Sequence, residues 1–315
     1  MEKLLTIGMC NYDDFHGVWF SIQALKMYHQ LVKDGEVELI VIDNNPKSKH
    51  AEAIQGLMNW NKEIKYIPYD KKQSTSNRNL IFQNATGKYT ISMDCHVLFP
   101  TGSLDALLKY YMKNPHCKDI VQGPMLYDDL KGCATHFKPT WGGDMYGQWA
   151  RDDKGLATKQ PFDIPMQGLG VFSCETENWL GFSKLFRGFG GEEGYIHEKF
   201  RLNGGRSICL PEFKWLHRFG RPDGVKYPLR LEDRIWNYFT GWMELKQTPK
   251  DPFIQDVYQN FLPRYLGGQN TRVHILDDLL EQACKRALKR KITTEEIEYI
   301  KHNNKPTQAQ EPQPT

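Results

Sequence analysis

Apolar positions in the first hundred residues switch between two periods. Leu4–Tyr12 (LLTIGMCNY) is a short apolar run that ends in polar loop residues, as a strand does. Gly17–Val32 places Val18, Ile22, Leu25, Met27 and Leu31 at helical spacing. Val37–Asp43 (VELIVID) has no polar face after Glu38, the pattern of a central parallel strand covered on both sides. NNPKS reads as a turn, Ala51–Trp60 as a helix and Ile64–Tyr69 as a third strand. Ser76–Asn84 reads as a helix that ATGKY punctuates, and Tyr89–Pro100 (YTISMDCHVLFP) as a buried fourth strand. Alternation of this kind predicts an α/β fold with a doubly wound, mostly parallel sheet.

After Pro100 the pattern loosens. Ser103–Lys113 predicts a helix with Ser103 as its cap, and Asp119–Tyr127 and Gly168–Glu175 predict strands. Glu192–Leu202, Pro228–Trp242 and Leu276–Lys291 predict helices, the last amphipathic with a basic end. Thr135–Pro161 is dense in Gly, Trp, Asp and Lys and predicts a long loop; its aromatics favour a binding role over a linker. From Pro306 onward the composition is that of a disordered tail.

Composition narrows the function classes only a little. The 315 residues are 40% hydrophobic and 25% charged, as in ordinary globular proteins. A net charge of +3 neither demands nor excludes an anionic partner. No apolar run approaches the roughly 18 residues of a membrane span, and MEKLLTIGMC is too short and too soon polar for a secretion signal. Seven scattered cysteines without a CxxC pair predict reduced thiols and a cytoplasmic setting.

Chemistry concentrates at the end of the fourth strand. Ligands of open α/β sheets gather at the carboxyl ends of the strands, where Asp94 and His96 stand. Residues i and i+2 of a strand share a side, so carboxylate and imidazole are expected to converge, with Cys95 on the other face. One oxygen and one nitrogen ligand suit Mn²⁺ or a similar divalent ion. A plain Asp–His hydrogen bond that ends the strand is the bland alternative.

The order of SNRN (Ser76–Asn79), ATGKY (Ala85–Tyr89) and the Asp94–His96 strand end resembles the nucleotide-binding half of GT-A glycosyltransferases of the family-2 type. The D-x-H form resembles the polypeptide N-acetylgalactosaminyltransferases. So do GLGVFSCETENWLGF, FRGFGGEEGYIHEKFRLNGG and WLHRFGRP, the last supplying His217. The match runs over roughly Leu4–Arg221. It departs from the family at Phe189 and Glu193, which replace a tryptophan and an asparagine, and no lectin domain follows, so peptide acceptors do not carry over.

That resemblance implies a GT-A catalytic domain over 1–227, with a nucleotide-binding half (1–100) and an acceptor half (101–227). A helical extension (228–304) and a disordered tail (305–315) would follow. It implies a UDP-sugar donor, a Mn²⁺ (or Mg²⁺) cofactor held by Asp94, His96 and His217, and transfer with retention. Tyr12 would stack on the base, Asp43 or Asn44 would bond its edge, and Arg78 and Gly191 would approach the donor. Glu192, with Glu193 and Asp144 as further acceptor-side acids, would act in catalysis or position the sugar. Trp141, Gly142, Gly143 and Trp149 would form a lid. Each has a bland reading beside it: His217 as a surface histidine, Tyr12 and Asp43 as loop caps, Glu192 as a helix N-terminal acid. The acceptor is open between a hydroxymethylated DNA base of a phage or virus, in the host cytoplasm, and a bacterial surface polysaccharide. Arg218, Arg221, Lys226, Arg230, Arg234, Lys285, Arg286, Lys289 and Arg290 offer a basic face for DNA, or a solvated one. A non-catalytic nucleotide or nucleic-acid binding protein and a nucleotidyltransferase are the rivals.

Overall fold

A computed structural model describes residues 3–221, 224–267 and 272–302; the expected tail, 305–315, lies outside the described residues. Strands β1 (Leu5–Asn11), β2 (Val37–Asp43), β3 (Lys65–Pro68) and β4 (Tyr89–Asp94) alternate with helices α1 (Phe15–Tyr28), α2 (Gln30–Lys33), α3 (Ala51–Trp60) and α4 (Asn79–Asn84). β1 pairs in parallel with β2 on one side and β4 on the other, and β2 with β3. Leu39 and Val41 of β2 enter one apolar core and Ile40 and Ile42 the opposite one, which is why the strand has no polar face. The helix expected over 17–32 is broken at His29, where the backbone is extended (φ −119°, ψ 113°) and the buried ring meets the Phe99 carbonyl.

Beyond β4 come β5 (Val97–Leu98), α5 (Ser103–Lys113), β6 (Ile120–Gln122), β7 (Met125–Leu126) and β8 (Cys133–Ala134). Next are β9 (His136–Gly142), β10 (Met145–Ala150), α6 (Asp153–Thr158), β11 (Phe162–Asp163) and β12 (Val171–Glu175). Then follow α7 (Glu192–Leu202), β13 (Ser207–Cys209) and β14 (Trp215–His217). The main sheet has the order β11-β13-β6-β12-β4-β1-β2-β3, with β12 antiparallel to β4 and β6. A small second sheet, β5-β14-β7-β8, sits beside it.

Three local expectations are corrected. Asp119–Tyr127 is two strands in two sheets, because Gly123 packs so tightly on Phe213 that a Cβ would stand 1.6 Å from its carbonyl oxygen. Ser103 does not cap α5; Gly102 (φ +88°) holds that position and the Ser103 hydroxyl donates to the Lys214 carbonyl at 2.8 Å. The long loop is a β-hairpin, β9–β10, followed by α6. The hairpin is anchored: the Trp141 indole donates to Asp256 at 2.7 Å, and the Tyr146 amide donates to the Tyr238 hydroxyl at 2.8 Å.

Helices α8 (Leu231–Lys246), α9 (Pro252–Tyr265), α10 (Val273–Ala287) and α11 (Thr294–His302) bury a core of their own around Phe239, Tyr258, Phe261 and Leu280, against which Trp141 and Tyr146 pack. No described helix is long and apolar enough to cross a membrane.

Candidate active site

The chain leaves β1 toward β2 on one side and later returns as β4 on the other, so a crevice opens between the carboxyl ends of β1 and β4. A cavity of about 470 Å³ lies there, lined by Tyr12, Asn44, Arg78, Asp94, His96 and Arg221 among others. β4 ends at Asp94, and Cys95 and His96 form a turn. Strand alternation therefore does not bring Asp94 and His96 together; the turn does. α1 pins that turn, because the Ser21 hydroxyl donates to the carbonyls of Cys95 (3.0 Å) and Val97 (2.9 Å). Cys95 is corrected as well: it lines the cavity, with Sγ 3.6 Å from His96 Nδ1.

The small sheet brings in the third group. β14 pairs with β5, setting His217 opposite Val97 beside the turn. His217 Nε2 lies 3.4 Å from Asp94 Oδ2 and 3.2 Å from His96 Nε2, and His96 Nε2 is 3.9 Å from Asp94 Oδ2. Among the described residues, Asp94/His96/His217 is one of two trios whose ligand atoms lie within 4.8 Å of one another; Asp14/Cys95/His96 is the other. Two imidazole nitrogens and a carboxylate oxygen converging on one point fit a divalent cation of the Mn²⁺ kind. His217 also has a buried Nδ1 without a partner.

Arg78, 8% exposed, connects this trio to the interior. Its Nη2 donates to Asp94 Oδ1 at 3.1 Å and its Nη1 lies 3.6 Å from Glu192 Oε1. Burial alone would raise the Asp94 carboxyl; the His217 bond and the charges of Arg78 and His96 overcome it and hold Asp94 well below the usual carboxylate range. Glu192 goes the other way. Burial, reinforced by Glu193 and only partly offset by Arg78, pushes it up to about 8, and burial raises Glu193 too. Glu192 Oε2 has no hydrogen-bond partner.

A neutral native Glu192 gives a pH signature. Between the ordinary value of 4.5 and about 8, the folded chain holds a proton that the unfolded chain has lost, so stability falls as pH rises through that window. Thermal melts of Glu192→Gln across the same range are expected to fall less steeply than those of the parent chain. Parallel melting curves would remove the proton from Glu192.

Other expected site residues divide. Tyr12 and Asn44 line the cavity, with Gln73 donating to the Tyr12 hydroxyl and Asn77 to Asn44 Oδ1. Asp43 does not: it is fully buried behind the cavity wall, where it accepts from Asn11, Tyr66 and the Asn45 amide. Asp144 sits in the hairpin turn, paired with Arg264 at 2.5 Å, and does not line the cavity. Trp141, Gly142, Gly143 and Trp149 do not line it either; the hairpin packs on the C-terminal helices instead of closing as a lid. Gly190 and Gly191 (φ +96° and +88°) face α8, where a Cβ would meet Arg234 and Asn237, so their lack of side chain serves packing, not a sugar. Asn79 holds the 179–182 segment through Trp179 and Phe182. Sequence reasoning missed Asp14, Arg187, Phe189 and Tyr227, all lining the cavity, because their partners lie far away in sequence.

This arrangement of sheet, crevice and trio can be set against known proteins. Residues 6–153 match the model described as glycosyl transferase family 2, a little under half of the chain. The crystal structure of GalNAc-T7 with UDP, GalNAc and Mn²⁺ superposes with TM-score 0.65 at 14% identity, over 90% of this chain and 56% of that one. The chain has the GT-A glycosyltransferase fold. A second GT-A structure, the mannosyltransferase PcManGT of Pyrobaculum calidifontis in complex with GDP-Man and Mn²⁺, superposes with TM-score 0.51 at 12% identity, over 92% of this chain and 73% of that one. The chain thus spans little more than half the length of the GalNAc-T7 structure. A search of curated proteins finds no match.

Proposed function

We propose that the chain is a metal-dependent glycosyltransferase that moves a sugar from a UDP-sugar to an acceptor hydroxyl with retention. The observation that carries this reading is the Asp94/His96/His217 trio beside the β1–β4 crevice of a GT-A fold. A Mn²⁺ ion held there would neutralise charge developing on the leaving diphosphate. Tyr12 offers an aromatic face to the base, and Asn44 offers polar groups to its edge. Arg78 keeps Asp94 ionised and aimed. Glu192 props Arg78 from behind.

Retention is supported by the carboxylates of the cavity wall. Asp14, Asp94 and Asp233 line it, and each is engaged: Asp14 by Arg218, Asp94 by Arg78, Asp233 by Arg187 at 2.8 Å. Inversion would need a carboxylate free to take the acceptor proton.

For the acceptor we favour a hydroxymethylated DNA base. Arg230 lines the cavity, Tyr227 packs against Phe189 with ring centroids 4.7 Å apart, and together they offer a cation for a phosphate and rings for an extruded base. Arg290 is taken from the basic face by its paired bonds to Glu296. All seven cysteines are free, which suits a reducing cytoplasm. The test is a set of UDP-sugars with Mn²⁺ against hydroxymethyl-base DNA, oligosaccharides and peptides, read by product mass. Label on DNA only where the modified base is present is the expected outcome. Label on oligosaccharide alone would replace the DNA acceptor, and no transfer or donor hydrolysis at all would remove the enzyme.

A further inference from the structure

We propose that Asp14 is a positioning residue for the cation site, setting which nitrogen of His96 carries the proton and where the other one aims. The proposal rests on the reading that Asp94, His96 and His217 hold a cation. Two contacts define the imidazole independently. His96 Nδ1 lies 3.1 Å from Asp14 Oδ2; a carboxylate only accepts, so Nδ1 carries the hydrogen. His96 Nε2 lies 2.7 Å from Arg221 Nη2; a guanidinium only donates, so Nε2 presents its lone pair. That lone pair faces the side where Asp94 Oδ2 and His217 Nε2 stand. A ring with one nitrogen protonated and held by a carboxylate leaves the other's lone pair for ligation; here that lone pair accepts from Arg221, which a bound cation would displace.

Asp14 is itself held in place. It N-caps α1, its Oδ1 accepting the Gly17 amide at 2.9 Å, and its own amide donates to Asn11 Oδ1 at 3.0 Å. Arg218 donates to both of its oxygens, at 3.1 and 3.2 Å. A Cβ on residue 17 would stand 2.7 Å from Oδ2, so glycine there leaves the carboxylate its space. Arg218 follows His217 directly, so one end of β14 supplies a candidate ligand and the clamp on its neighbour's orienting acid. The Asp14/Cys95/His96 trio is therefore better read as an orienting contact than as a second cation site. Arg218 already occupies that carboxylate, and a cation there would displace the Nδ1 proton.

Asp14→Asn tests this with the fold kept, because asparagine caps helices as well as aspartate does. With ¹⁵N-labelled histidine, His96 of the parent chain is expected as the Nδ1–H tautomer, and the variant is expected to shift toward Nε2–H. Mn²⁺ affinity of the metal-free protein, from the paramagnetic resonance of free Mn²⁺, is expected to fall roughly 10–100-fold with Asp94 and His217 intact. Arg218→Gln, which leaves the cap bonds, is expected to lose less. An unchanged tautomer in Asp14→Asn overturns the proposal, and so does unchanged Mn²⁺ affinity despite a changed tautomer. A Cd²⁺–thiolate absorption band abolished by Cys95→Ser would also overturn it, in favour of a second cation site. Should the parent chain take no Mn²⁺, the cation reading falls and the tautomer comparison alone decides what Asp14 does to His96.

Discussion

Asp94→Ala is expected to lower Mn²⁺-dependent turnover of a UDP-sugar by about a thousandfold or more, the scale of removing one electrostatic anchor from a charged transition state. That factor corresponds to roughly 4 kcal/mol of lost stabilisation. Asp94 is the only carboxylate of the Asp94/His96/His217 trio, so its loss leaves two neutral imidazoles to hold a dication. His217→Ala should fall by a comparable factor, because its Nε2 is within 3.4 Å of both other ligand atoms. Donor hydrolysis without acceptor is the readout, since it needs no knowledge of what is glycosylated. Arg78 keeps the Glu192 carboxyl 3.6 Å away when Asp94 is gone, so the fold should survive. Turnover equal to that of the parent chain in both variants would remove the cation from the mechanism. Turnover lost in Asp94→Ala alone would move the site onto Asp94 and Arg78.

How much of this was legible without coordinates depended on how local each cause is. β2, α3, α5 and α7 fall where the pattern put them, because periodicity and end signals are written within ten or so residues. The fold class followed from their alternation. The hairpin was missed although a signal was there: Phe137, Pro139 and Trp141 alternate with the exposed Lys138 and Thr140. Glycines and scattered aromatics outweighed that period, and the helices that cover its apolar face lie a hundred residues later. The site was half legible. Asp94, His96 and His217 came from motif order, yet the reason given for the first two was wrong: a turn, not strand alternation, joins them. Asp43 and the Gly190–Gly191 pair looked like ligand groups, but Asp43 is buried among its own hydrogen-bond donors and the glycines pack on α8; burial and a neighbouring helix cannot be seen in a motif. Asp14 was invisible because the imidazole it holds is 82 residues away.

Arg78→Met is expected to cost about 3–5 kcal/mol of stability, the scale of breaking a buried ion pair by removing one partner. Methionine fills much of the same space, so the loss is electrostatic. It strands Asp94, held well below the usual carboxylate range partly by Arg78, and, above about pH 8, Glu192, 1% exposed. Burial works against the Arg78 charge, and the two acids outweigh it, so the dependence is mutual. Arg78→Lys should land between, keeping a charge but not a fork that reaches two carboxylates. The decisive measurement is a double-mutant cycle with Glu192→Gln. Above about pH 8, where Glu192 ionises, a neutral amide needs no counter-ion, so there Arg78→Met with Glu192→Gln should melt higher than Arg78→Met alone. UDP-sugar turnover should not recover, because Asp94 still lacks its partner. If the double variant melts no higher even above about pH 8, Glu192 needs no cation at any of these pH values, and the link from the core to Asp94 ends at Arg78. If turnover returns with stability, Arg78 acts through Glu192 and not through Asp94, and the chain of contacts from α7 to the cation site runs the other way.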